Sequence, residues 1–417
     1  MAHPTGKALI LLGDGLGDRP VADLGGKTPL EAAQTPNLDR LAALGECGLM
    51  DPIRPGVPAG SDTAHLSMLG YNPYESYTGR GPLEALGVGM DVRRGDLAFR
   101  CNFATVEPQP DGSLLIVDRR AGRIAEGTAE LAAAVNALPP MDGVQFILRE
   151  SIEHRAALLM RGDGLDACVS DADPHAEGAA VAVVEGRTEA AQRTAGTLNA
   201  WVRKTYEALD EHPVNVQRRA AGLKPANIIL PRGCGVAPHL KPFSEQWGVR
   251  GALVVEVGLI KGLGRYLDMT VADVPGATGG YDTDEIALAK ATLEALHEHE
   301  FVLCNLKSPD LAGHDGNAEA KVRCCAQLDR LVGHVLDHVD LEATAIAVAG
   351  DHSTPVSVRD HSGDPLPLAI AGQGVRTDAV AAFGERPCAT GGLGRIVGHD
   401  LLSVLMNLIG AAEKYGA

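Results

Sequence analysis

The feature that most constrains this chain is a strand-length apolar run that ends in metal-ligand chemistry. Ala345-Ile-Ala-Val-Ala349 stops at Gly350, and Asp351, His352 and Ser353 follow at once, with His361 a short loop behind. Two other apolar runs end the same way. Lys7-Ala-Leu-Ile-Leu-Leu-Gly13 leads into Asp14, and Phe301–Leu306 runs out into Asp310 and His314. Donor side chains just past the carboxyl ends of buried strands are what a site in an open α/β sheet requires.

The spacing of the remaining elements agrees with such a sheet. Apolar runs at 7–12, 252–257, 301–306, 345–349 and 365–371 read as strands, and 283–298, 317–338 and 400–412 as helices. Alternation of strand and helix predicts an α/β fold with a mostly parallel sheet and helices on both faces. From about Asp91 to Val184 the texture changes to short alternating segments separated by turns such as Pro110-Asp-Gly. This predicts an inserted, smaller α+β domain over 89–199, closed by an amphipathic linker helix at 187–210, within a discontinuous domain of 1–88 and 200–417. Tyr71–Gly89 reads as a connector rich in turn formers, and Asn227–Leu230 as a strand that rejoins the large sheet.

Individually, an Asp-x-x-x-His or Asp-His pair is weak evidence. Asp14, Asp310, His314, Asp351, His352 and His361, all beside strand ends, together predict a two-metal site. Mixed imidazole and carboxylate donors suit Mn²⁺ first, with Co²⁺ and Zn²⁺ close behind; Mg²⁺ takes imidazole less readily. Two such ions stabilise both the attacking and the leaving oxygen of an in-line phosphoryl transfer. Ser61 follows the Pro55–Gly60 loop and opens a short helix, where free N–H groups favour an oxyanion; it is the candidate nucleophile, although a serine there is more often a simple cap. His65 reads as a supporting residue, and Asp171, Asp173 and His175 as turn chemistry. Gly13-Asp-Gly-Leu-Gly17 misses the dinucleotide spacing, and Asp14 and Asp18 would repel a pyrophosphate.

A net charge of −17 over 417 residues argues against nucleic acid or an anionic membrane as partner. A phosphorylated substrate must then meet a local basic cluster. Arg119, Arg120 and Arg123 in one tight turn are the candidate anion clamp; the insert also carries Arg100, Arg149 and Arg155, and Lys261 lies on a strand-to-helix turn. The 8 cysteines show no C-x-x-C pairing, no membrane-length apolar run occurs, and Met1–Lys7 leads straight into a strand. The expected location is therefore the cytoplasm. Oligomeric state is left open.

Six stretches taken together resemble one family. They are Gly13-Asp14-Gly15, Pro58-Ala-Gly-Ser61-Asp-Thr-Ala-His65-Leu66, Tyr77-Thr-Gly-Arg80-Gly-Pro-Leu-Glu-Ala-Leu-Gly87, Val117-Asp-Arg119-Arg120-Ala-Gly-Arg123-Ile124, Pro309-Asp310-Leu-Ala-Gly-His314-Asp-Gly-Asn317 and Gly350-Asp351-His352-Ser-Thr-Pro355. The chain resembles the archaeal-type 2,3-bisphosphoglycerate-independent phosphoglycerate mutases of the alkaline phosphatase superfamily. The resemblance implies an alkaline-phosphatase-like fold and interconversion of 3-phosphoglycerate and 2-phosphoglycerate in glycolysis and gluconeogenesis. It implies a phosphoserine intermediate on Ser61 and no 2,3-bisphosphoglycerate cofactor. Asp14, Ser61, Asp351 and His352 would hold one metal, and Asp310, His314 and His361 the other. Arg119, Arg120, Arg123 and Arg155 of the insert, with Lys261, would grip the substrate's carboxylate and phosphate. A metalloenzyme-type homoserine kinase or a phosphomonoesterase on the same scaffold is the alternative. Closure of the insert, hinged near 71–90 and 187–225, is expected to keep water from the phosphoserine.

Overall fold

The computed structural model describes residues 4–237, 240–414 and 416. Its strands, in chain order, are β1 (Lys7–Gly13), β2 (Gly45–Asp51), β3 (Leu97–Pro108), β4 (Leu114–Asp118), β5 (Gln145–Glu150), β6 (Arg155–Arg161) and β7 (Ile228–Val236). They continue with β8 (Gly251–Val255), β9 (Thr270–Val271), β10 (Phe301–Leu306), β11 (Thr344–Gly350), β12 (Leu366–Gly372) and β13 (Gly394–Val397). The chain divides into two compact units, Met1–Tyr77 with Leu240–Ala417, and Thr78–His239.

The larger unit holds one sheet in the order β13-β2-β12-β11-β1-β10-β8-β9. Neighbours pair in parallel except at β12, which runs against both β11 and β2. The unbroken apolar character of β1, β10 and β11 follows from burial on both faces. Leu9 and Leu11 face helices Pro36–Ala43 and Ala318–Leu336 in one core, while Ala8, Ile10 and Leu12 are buried on the other side. Helix Ala318–Leu336 begins where Asn317 caps its first turn by accepting from Ala320 N.

The smaller unit is built on an antiparallel sheet, β4-β3-β6-β5, with β7 on the other side of β3. Helices Thr128–Asn136 and Glu189–Leu209 cover one face, where Leu97, Phe99, Cys101 and Phe103 alternate inward from β3. Trp201 stacks on Phe146 with ring centroids 5.0 Å apart.

Two expectations need correction. The strand near 227–230 does not rejoin the large sheet; β7 pairs with β3 from Ala104↔Ile228 to Leu97↔Val236, so it belongs to the smaller unit. An apolar run shows that a strand is buried but not which sheet it joins. The stretch 71–89 is not a bare connector. It contains helices Pro73–Ser76 and Gly81–Gly87, and the latter packs Ala85 against Ala98, Ala157 and Leu159 of the small sheet. The structural units therefore meet at 77/78 and 239/240, where boundaries near 88 and 200 were expected. No helix among the described residues is long and apolar enough to cross a membrane.

Candidate metal centre

Strand register builds the site. β1 lies between β10 and β11, and Gly13 pairs with Leu306 on one side and Gly350 on the other. The next residue of each strand, Asp14, Lys307 and Asp351, therefore leaves the sheet at the same level. The turn after β1 has to be glycine at position 15. Its φ is +61°, and a Cβ there would lie 2.6 Å from Thr354 Oγ1 and 2.7 Å from Asp310 Oδ1. That close approach lets Gly15 N donate to Asp351 Oδ1 at 2.9 Å.

Asp310 and His314 are one turn apart on helix Ser308–Asp315, so both side chains fall on one face. His314 Nε2 lies 3.5 Å and His361 Nε2 3.6 Å from Asp310 Oδ1. Each ring is fixed from behind: His314 Nδ1 is 3.0 Å from the Arg359 carbonyl, and His361 Nδ1 is 2.7 Å from the Ala59 carbonyl. A carbonyl only accepts, so Nδ1 carries the proton and the Nε2 lone pair faces the carboxylate, as in metal-binding histidines.

His352 links the two halves. Its Nε2 is 3.4 Å from Asp351 Oδ2, 3.5 Å from Asp14 Oδ1 and 3.2 Å from Ser61 Oγ. Its ring stacks on His361, with centroids 3.7 Å apart. Two donor sets result, Asp14, Asp351 and His352, and Asp310, His352 and His361, each with its ligand atoms within 4.8 Å of one another. His314 lies outside both three-residue sets, although its Nε2 faces the second through Asp310. The donors fit divalent cations on a direct observation: Asp351 Oδ2 is buried and has no hydrogen-bond partner among the described residues. A carboxylate oxygen left this way is costly unless a cation takes it.

Ser61 is the first residue of helix Ser61–Met68, with Gly60 as its cap, so its hydroxyl is not spent on capping. Thr63 secures that end by bonding Gly60 N at 3.1 Å. His65 is fully buried and structural. Its Nδ1 is 2.7 Å from Ser61 O and its Nε2 2.8 Å from Asn305 Nδ2, and burial pulls its pKa down to about 4. Asp18 is also structural, in a fully buried pair with Lys321 at 2.8 Å.

One participant carries no signal in the sequence pattern. Lys307 Nζ donates to Asp14 Oδ1 at 2.8 Å and to Asp310 Oδ2 at 2.7 Å, bridging the two donor sets. Its backbone N donates to Glu256 Oε2 at 2.7 Å, and the other oxygen of Glu256 accepts from Gly279 N and from the Thr283 hydroxyl. Burial disfavours the Lys307 ammonium, but Asp14, Asp310 and Asp351 outweigh it and hold the group charged. Burial alone would raise Asp310, yet Lys307, with His352 and His314, holds it well below the carboxylate range. Burial raises Asp14 and Asp351, the latter also through repulsion from Asp14. The site is thus an excess of buried acids with one internal cation.

The expected anion clamp divides. Arg119 is engaged in a bidentate pair with Asp173, at 2.8 and 2.6 Å. Asp173 also accepts from His175 N, and Asp171 from Gly233 N, so both are spent on a turn and ion pairs. Arg119, Arg120 and Arg123 nevertheless line one surface cavity, with Asp118, His175 and Glu177. Arg155 is exposed at the start of β6, facing Asn102 of β3. Lys261, on helix Gly258–Tyr266, pairs with Asp273 at 3.8 Å and does not join the carboxylate–imidazole cluster.

Against known proteins, residues 42–215 match the family model described as 2,3-bisphosphoglycerate-independent phosphoglycerate mutase. The chain is 50% identical to the Methanothermobacter thermautotrophicus 2,3-bisphosphoglycerate-independent phosphoglycerate mutase 1, over 99% of this chain and 100% of that one. It is 51% identical to the Methanopyrus kandleri protein of the same description, over 99% and 98%. The solved cofactor-independent phosphoglycerate mutase of Thermoplasma acidophilum superposes with a TM-score of 0.74 at 38% identity, covering 97% of this chain and 100% of that chain. A Pyrococcus horikoshii structure reaches 0.87 at 43% identity over the whole of both chains.

Proposed function

Since this chain belongs to the 2,3-bisphosphoglycerate-independent phosphoglycerate mutases, we propose that it interconverts 3-phosphoglycerate and 2-phosphoglycerate through a phosphoserine on Ser61. The observation that carries this reading is Ser61 Oγ, free of capping duty, 3.2 Å from His352 Nε2 within the two donor sets. Ser61 Oγ attacks phosphorus, the bond to the substrate's 3-oxygen breaks, and that oxygen ends as a hydroxyl. The glycerate then turns, its 2-hydroxyl attacks the same phosphorus, and the bond to Ser61 breaks. No net proton or electron is consumed.

Asp14, Asp351 and His352 would hold one divalent ion beside Ser61, and Asp310, His361 and His314 a second, with Mn²⁺ the preferred metal and Co²⁺, Zn²⁺ or Mg²⁺ the alternatives. Bound there, the ions supply acidification of the serine and neutralisation of phosphoryl charge. This chain's own residues hold and orient. Gly15 N fixes Asp351, the carbonyls of Ala59 and Arg359 aim two imidazoles, and Lys307 sets the charge between Asp14 and Asp310. The substrate's charge would be met by basic residues drawn from Arg119, Arg120, Arg123, Arg155 and Lys261. The reading includes a cytoplasmic enzyme without 2,3-bisphosphoglycerate.

The test is acid-quenched mass spectrometry of the Mn²⁺-loaded protein after brief exposure to 3-phosphoglycerate. A phosphate on the peptide bearing Ser61, absent from Ser61→Ala, is the expected result. Turnover without a phosphorylated peptide, or turnover by Ser61→Ala, contradicts it.

A further inference from the structure

Helix Ser308–Asp315 presents Asp310 and His314, yet its packing gives it little to hold on to. It is 8 residues long, and its apolar contact is a small cluster of Ala312 with Ala320 and Cys324 on helix Ala318–Leu336. Beside it lies a cavity of about 460 Å³ bounded by Tyr281, Asp315, Asn317 and Gln327, so that side is open. A ligand set tolerates displacements of only about 0.5 Å before its geometry is lost. Something other than side-chain packing has to fix this helix.

Hydrogen bonds do so, and they converge on one residue. Tyr281 Oη donates to Asp315 Oδ2 at 2.6 Å, at the last residue of the helix. Tyr281 O accepts from Gln327 Nε2 at 2.9 Å, and Gln327 Oε1 accepts from the Ser308 hydroxyl at 2.7 Å, at the first residue. One tyrosine thus reaches both ends of the helix, once through its side chain and once through its backbone. The turn that carries it is itself tied down. Thr278 Oγ1 donates to Asp282 Oδ1 at 2.8 Å and accepts from Gly280 N at 3.1 Å. Glu256 accepts from Gly279 N and the Thr283 hydroxyl through one oxygen, and from Lys307 N, just before the helix, through the other.

Strand register explains why Glu256 can do this: Val255 pairs with Asn305, so the residues that follow β8 and β10 leave the sheet side by side. Tyr281, Gln327 and Glu256 belong to neither donor set. Tyr281 is also 43% exposed, so it adds little to the core. The first donor set lies outside this arrangement. Asp14, Asp351 and His352 follow β1 and β11, whose parallel ladder holds them in place.

We propose that Tyr281 is the positioning residue of the second donor set, fixing through Asp315 and Gln327 both ends of the helix that offers Asp310 and His314 to a divalent ion. The assignment rests on the two-ion reading of the donor sets. It goes beyond that reading by making the affinity of one site depend on a surface turn that supplies no ligand.

Calorimetric titration of Mn²⁺ into the chelator-stripped, full-length protein tests it. Wild type is expected to take up two ions. Tyr281→Phe keeps the ring and removes the hydroxyl. It should weaken one ion about tenfold, the low end of what outer partners of metal ligands contribute, and the other by less than about twofold. Gln327→Leu cuts the second tie and should weaken the same ion. With His361→Ala, which removes a ligand of the second set, the ion that remains should be indifferent to Tyr281→Phe. The thermal midpoint of Tyr281→Phe in chelator should stay within about 2 °C of wild type. Equal weakening of both ions, or a weakening matched by a lower midpoint, would make the tyrosine merely structural and overturn the inference. Two ions held as tightly by Tyr281→Phe as by wild type overturn the inference alone. A wild type that takes up a single ion removes the two-ion reading, and the inference with it.

Discussion

The acidic cluster of the larger unit and the arginine face of the smaller one are the same device with opposite sign. In each, strand pairing brings like charges together at a buried level. In each, one internal counter-ion covers part of the excess: Lys307 between Asp14 and Asp310, and Asp173 between Arg119 and Arg232. In each, buried polar atoms have no hydrogen-bond partner among the described residues, Asp351 Oδ2 in one and the Nε atoms of Arg100 and Arg232 in the other. The difference lies in what each offers. The acids and imidazoles offer ligand atoms to cations, and the arginines offer donors to anions. Imbalance that the fold does not neutralise marks where a ligand goes, whereas neutralised charge, such as the Asp18–Lys321 pair, marks structure.

Four perturbations break or sharpen this comparison, from the largest effect to the smallest. Ser61→Ala removes the nucleophile and should lower kcat at least about 10⁴-fold with the unfolding midpoint unchanged; steady-state assay and thermal melting check both halves. Lys307→Met removes the internal cation and should cost about 4 kcal/mol of stability in chelator, since Asp14 and Asp310 lose their buried partner. Urea unfolding measures it, and added Mn²⁺ should recover most of the loss. No loss in chelator would mean that Lys307 is not what holds the acids together.

Arg119→Met attacks the counterpart in the other region. Burial raises the Asp173 carboxyl, but Arg119 and the His175 N–H outweigh it and hold it below the usual range. The pair's contribution is therefore present above the unfolded value near 3.8 and is lost as pH falls through the lower folded value. The variant should lose about 3 kcal/mol at neutral pH, a gap that closes in acid, while KM for 3-phosphoglycerate moves less than about threefold. A larger KM effect would place Arg119 among the residues that meet the substrate.

A buried charge outside both regions supplies the control. Glu385 accepts from Thr28 Oγ1 at 2.8 Å, and burial lifts its pKa from 4.5 to about 7. A raised carboxyl binds its proton more tightly when folded, so stability falls as pH rises from 4.5 through 7. Between pH 5.5 and 7.5 the loss should be about 2 kcal/mol. Glu385→Gln should flatten that slope in chemical unfolding without changing activity or metal content.

Much of the candidate metal centre was legible in the chain because strand ends announce themselves. An apolar run that stops at Gly and shows Asp or His has few bland explanations, and three such runs place Asp14, Asp310, His314, Asp351 and His352 near one another before any coordinates. Lys307 was not legible. Lysine after a strand is usually solvated, and only the register of β10 against β1 shows that it points between two carboxylates. The arginine face was less legible for a related reason. Arg119, Arg120 and Arg123 form a compact run that catches the eye, whereas Arg100 and Arg232 lie far apart in sequence and meet only through the β3–β7 ladder. That same ladder decides which unit owns β7, which is why the boundary expected near 200 lies at 239/240. Local pattern reveals burial and chemistry; long-range strand pairing supplies the partners.

The central claim is most directly tested by phosphorus NMR of 3-phosphoglycerate with chelated and Mn²⁺-reloaded protein, in the absence of 2,3-bisphosphoglycerate. The account predicts a 2-phosphoglycerate resonance only after reloading, with little inorganic phosphate. Inorganic phosphate as the sole product, or no change in either sample, would contradict it.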